Sequence, residues 1–101
     1  MNYRILCTFD LTEATAQDYE NLYTELSALG LITDTSSISG KGKQLPESTV
    51  VGELESSLTL ASARENIVNQ LDEAFNSIGV EYRYLVSVSE EPSSTWALRA
   101  K

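Results

Sequence analysis

Tyr3-Arg4-Ile5-Leu6-Cys7-Thr8-Phe9-Asp10-Leu11 is the stretch on which the reading of this chain turns. It is apolar and aromatic apart from Arg4, Thr8 and Asp10, which in so short a chain suits a central strand covered on at least one face. Asp10 falls where that strand should leave the sheet, which makes it the first residue to weigh for chemistry.

Working outward, the period changes at Thr12. Tyr19, Leu22, Tyr23, Leu26 and Leu29 recur at helical spacing, so residues 16–29 are expected to form an amphipathic helix. Thr15 is its expected N-cap, with Asp18 three residues on completing a capping box, and Gly30 is the left-handed stop over which Leu31 folds back. Leu31 to Ile38 reads as a polar second strand at a sheet edge. Residues 39–46, with two glycines and a proline, read as a connection. Thr49–Glu55 is the third strand. Ser62-Ala63-Arg64-Glu65 matches a capping box. It opens a second helix with a stripe of Ile67, Val68, Leu71, Ala74, Phe75 and Ile78, closed by Gly79. From Val80 to Val88 apolar and polar residues alternate, as in a half-covered strand.

The expected order is β-α-β-β-α-β. That order specifies an α+β, ferredoxin-like βαββαβ sandwich: a four-stranded antiparallel sheet with two helices on one face. Residues 1–91 would be the ferredoxin-like domain and 92–101 a C-terminal tail, available as an extra or exchanged strand. Strand parity puts Ile5, Cys7, Phe9, Tyr82, Tyr84 and Val86 in the core. Arg4, Leu6, Thr8 and Asp10 then fall on the far face with Val51, Glu53, Glu81, Arg83 and Leu85. Leu6, Val51 and Leu85 would form a thin apolar band among opposite charges there, a surface suited to self-association. The tail adds Trp96 and Leu98 as candidate interface residues.

The 101 residues amount to one domain, whose small core leaves room for a partner's contribution. A single cysteine excludes an internal disulfide and a multi-cysteine metal cage, and fits a reducing cytoplasm. No stretch reads as a secretory signal or a membrane span. The balance is acidic, with 15 Asp and Glu against 7 Lys and Arg, a net charge of −8 and no histidine. The missing histidine removes Ser-His and Cys-His nucleophilic catalysis. The charge opposes non-specific binding to nucleic acid, which depends on neutralising phosphates.

The strand ending Cys7-Thr8-Phe9-Asp10-Leu11 and the helix Asp18-Tyr19-Glu20-Asn21-Leu22-Tyr23-Thr24-Glu25-Leu26-Ser27-Ala28-Leu29-Gly30, taken with the order of elements, resemble the SinR-like and VapD-like small ferredoxin-fold proteins, related to the CRISPR adaptation endonuclease subunit. The specific part of the resemblance lies in the first 30 residues. It implies a homodimer, often built through the sheet faces, with the C-terminal segment exchanged onto the partner's sheet. It also implies a Mg2+-dependent nuclease site at Asp10, as catalytic residue and metal ligand. The chain departs from that pattern in carrying Glu13, Asp18 and Glu20 where group members that engage nucleic acid carry basic residues.

Two functions follow. One is a dimeric protein-interaction module with an acidic surface, of which a variant mimics nucleic acid and blocks a basic partner, as some phage-encoded inhibitors do. The other is a Mg2+-dependent endoribonuclease or nuclease using Asp10, whose plain alternative is a strand-end Asp hydrogen-bonded to nearby backbone. Gly40-Lys41-Gly42-Lys43 lacks the spacing of a phosphate loop and reads as an exposed turn. Cys7 reads as a small core hydrophobe, and Tyr19 and Tyr23 as core residues with their hydroxyls at the rim.

Overall fold

A computed structural model of the chain describes residues 1–33 and 48–91. Its elements are β1 (Asn2–Leu11), α1 (Ala16–Ala28), β2 (Thr49–Glu55), α2 (Leu60–Ile78) and β3 (Tyr82–Glu90). The three strands form one antiparallel sheet in the order β2-β1-β3.

The opening stretch is indeed the middle of the sheet. Tyr3, Ile5, Cys7 and Phe9 are buried while Leu6, Thr8 and Asp10 are exposed, the period-2 pattern of a strand covered on one face. Cys7 pairs with Val50 on one side and Val86 on the other. Above it α1 contributes Leu22 and Leu26, and α2 contributes Ile67, Leu71 and Phe75. The aromatic residues join the layers. Phe75 lies edge-on to Phe9 at 5.4 Å and stacks on Tyr84 at 4.9 Å, separations that favour aromatic pairs beyond their area burial. Tyr3 is 2% exposed, and its hydroxyl donates to the Leu58 carbonyl at 2.6 Å, so the buried phenol is satisfied.

Helix α1 starts and stops as its sequence requires. The Thr15 side chain accepts from the Asp18 amide, and Asp18 accepts from the Thr15 amide. At the other end Gly30 adopts φ +84°. Its amide donates to the Ser27 carbonyl and the Leu31 amide to Leu26, at 2.9 and 3.0 Å, a Schellman ending. Leu31, 2% exposed, is thereby turned into the core.

Four corrections follow. The sheet of the described residues has three strands, not four. Of the expected strand at 31–38, the described residues are Leu31 to Thr33, and they contribute one isolated bridge, Ile32 to Val51. The Leu31 amide is spent on the helix cap instead of a sheet ladder. The rest of that segment and the expected connection, Gly40-Lys41-Gly42-Lys43 included, lie outside the described residues. Secondly, α2 is capped by Thr59, which accepts from the Ser62 amide; Ser62 is the third helical residue and not the cap. Thirdly, β3 begins at Tyr82, two residues later than expected, and runs to Glu90. Lastly, Val51 is only 7% exposed, so the expected band on the far face reduces to Leu6 and Leu85.

Candidate functional site

The sheet face turned away from the helices carries the residues singled out for function. The register sets its rows as Glu53-Arg4-Ser89, Val51-Leu6-Ser87, Thr49-Thr8-Leu85 and Asp10-Arg83. The two ends differ. Leu6 is 45% exposed and Leu85 70%, and Asp10 and Arg83 project beyond them, whereas Arg4 is half-buried and Val51 enclosed. Two leucines therefore stand in solvent between small polar residues, with charges of both signs at each end.

Asp10 sits opposite Arg83 on the neighbouring strand, and Arg83 Nε donates to Asp10 Oδ2 at 3.3 Å. Both side chains are largely exposed, 71% and 86%, so the pair contributes well under about 1 kcal/mol. Thr8, Leu85 and the same two residues line a shallow, open hollow. The structure thus gives Asp10 a guanidinium neighbour. No cluster of three or more His, Cys, Asp or Glu side chains able to hold a metal occurs among the described residues. Glu13, two residues beyond β1, adopts φ 52° in the turn before α1, and Asp18 is committed to the helix cap. The acidic residues near Asp10 in sequence are thus not gathered with it into a ligand set.

At the opposite end Arg4 Nε and Glu91 Oε2 are buried without hydrogen-bond partners. They line a second open hollow with Met1 and Asn2. Trp96 and Leu98 lie outside the described residues.

Two further polar groups depend on pairings that no local pattern announces. The Tyr84 hydroxyl donates to Asp72 Oδ1 at 2.7 Å, and Tyr82 to Asn76 Oδ1 at 3.0 Å, tying the β3 edge to α2. Burial, with the Asp72 carboxylate beside it, raises the Tyr84 phenol above its usual range. Cys7 is fully enclosed, and burial pushes its thiol up to about 12, which leaves it protonated and unreactive at neutral pH. A signal for Tyr84 and Asp72 did exist: a tyrosine on a half-covered strand needs a hydroxyl partner.

No helix among the described residues is long and apolar enough to cross a membrane. No protein-family model, no curated protein and no solved structure matches the chain, so the fold and this sheet face are what its function must be argued from.

Proposed function

We propose that the protein is a self-associating, acidic interaction module that meets its partners through the sheet. The observation that carries this reading is the sheet face itself. Leu6 and Leu85 are exposed at its centre, and Arg83 with Asp10 and Arg4 with Glu53 mark its ends. Exposed aliphatics framed by charges of both signs supply apolar area for affinity and charges for orientation. A net charge of −8 points to a basic protein surface, and not to nucleic acid, as the complementary partner beyond a second copy.

The nuclease reading centred on Asp10 draws no support from the described residues, whose nearest ionic group to that carboxylate is Arg83. Two measurements on the full chain test the proposal. Sedimentation velocity should show a species of twice the chain mass that grows with concentration; a monomer at every concentration would overturn the self-association. Incubation with RNA and DNA in Mg2+ or Mn2+ should give no cleavage that Asp10→Asn abolishes. Cleavage lost in that variant would replace the module with an enzyme.

A further inference from the structure

The self-association reading leaves open how two copies meet. We infer that they pack sheet on sheet through the face turned away from the helices, about a two-fold axis that crosses the strands at the level of Cys7 and Val86. This rests on the reading above and adds to it the geometry and the register.

Three observations carry it. The first is a contiguous exposed block. Leu6, Thr8 and Asp10 of β1 stand opposite Ser87, Leu85 and Arg83 of β3, and all six are exposed. Leu85, at 70%, is the most exposed large apolar side chain among the described residues. Secondly, the block is self-complementary in shape. Its two central rows are Leu6-Ser87 and Thr8-Leu85, so the leucines occupy one diagonal and two small polar residues the other. An axis across the strands between these rows sets Leu6 of each copy over Thr8 of the other, and Leu85 over Ser87. Large side chains then face small ones, and the leucines of both copies meet in one apolar cluster. Moving the axis one residue toward Thr8 sets Leu6 over Asp10. Moving it one residue the other way draws the two copies of Leu85 apart. Thirdly, charge selects this axis over one that runs along the strands. With the axis across the strands, Asp10 of each copy approaches Arg4 of the other. With the axis along β1, Asp10 would face Asp10 and Arg4 would face Arg4, and like charges so placed oppose the contact.

The test is cross-linking of the full chain by a short bismaleimide, with one cysteine introduced at a time; the native Cys7 is enclosed and does not compete. With facing sheets about 10 Å apart and about 3.3 Å per residue, position 85 lies roughly 12 Å from its own copy and position 83 roughly 22 Å. Leu85→Cys should therefore link into a covalent dimer, and Arg83→Cys should stay unlinked. An axis along β1 would hold the two positions at one separation and link both alike. Leu6→Asp and Leu85→Asp, at exposed positions, should keep the circular dichroism of the parent and each weaken association by about tenfold. Association that survives both substitutions, or a dimer that links through position 83 as readily as 85, would overturn the face packing. Either result would place the contact on a sheet edge or on the residues after Glu91, with self-association intact. A monomer throughout overturns both.

Discussion

Replacing Gly52 by alanine is the sharpest probe of how the two halves of this fold fit together. Gly52 lies in β2 opposite Ile5, on the core side, beneath the turn that ends α1. A Cβ there would run into the Gly30 carbonyl oxygen and lie 2.9 Å from Leu31 Cδ2. The leucine can move; the carbonyl cannot. Gly30 and Leu31 are fixed by their hydrogen bonds to Ser27 and Leu26, and Ile32 is held to Val51 by two more at 2.8 and 2.9 Å. Relief therefore requires the end of α1 to lift from β2, loosening Leu26, Leu31 and Val50. Overpacking of this kind costs about 1–3 kcal/mol, offset by about 0.4–1 kcal/mol from the stiffer unfolded chain. A net loss of about 1–2 kcal/mol lowers the melting temperature of a chain this size by roughly 5–15 °C. Urea unfolding followed by circular dichroism should show an earlier midpoint with an unchanged slope. Gly30→Ala provides the contrast. Its Cβ meets nothing, so it should lose only the cost of a left-handed alanine, about 1 kcal/mol. Backbone preference alone expects alanine at position 52 to stabilise a strand. A Gly52→Ala protein as stable as the parent, or more so, refutes the packing argument.

The alkaline limb of stability should carry the mark of Cys7. Its thiol is raised from 9.0 to about 12 in the folded state, so its contribution is complete below about pH 9 and falls by about 1.4 kcal/mol per unit above it. Tyr84, also raised, adds to the loss above about pH 10. Cys7→Ala should flatten the stability profile between pH 9 and 10, seen in urea midpoints, and leave above pH 10 only the gentler fall that Tyr84 contributes. Thr15→Ala removes the capping-box hydroxyl of α1 and should cost about 1 kcal/mol, with Thr15→Ser close to neutral. Asp10→Asn breaks an exposed pair and should change stability by less than about 1 kcal/mol. A larger loss would show that the strand end depends on that carboxylate.

Local physics made much of this fold legible. The 3.6-residue spacing of α1, its Thr15-to-Asp18 box and its Gly30 stop are all interactions between residues a few positions apart. The limits of β2 matched as well, because its polar flanks change abruptly. Ser62 to Glu65 matches the capping-box pattern and so predicts a start there, whereas Thr59 caps α2 by accepting from the Ser62 amide, with no Glu or Gln three positions on to announce it. What decides between them is where the chain leaves the sheet: Tyr3 holds the Leu58 carbonyl, and the turn can begin at Thr59 only from there. The count of strands failed for a related reason. Of the expected second strand the described residues are Leu31 to Thr33, where the Leu31 amide closes the helix cap and Ile32 makes an isolated bridge to Val51.

The site was legible residue by residue and not as an arrangement. Parity placed Asp10, Arg83, Leu6 and Leu85 on one face. The direct opposition of Asp10 and Arg83, 73 positions apart, required the register of β1 with β3. An interior glycine in a strand signals a close backbone approach, but that the approach at Gly52 comes from Gly30 is a tertiary fact.

The claim on which the account stands is that the sheet is where this protein meets another molecule. Hydrogen exchange of the full chain at low and high protein concentration tests it most directly. Amides of β1 and β3 around Leu6 and Leu85 should exchange more slowly as concentration rises, while those of α1 and α2, on the other side of the sheet, keep one rate. Exchange that is the same at every concentration throughout β1 and β3 would contradict it.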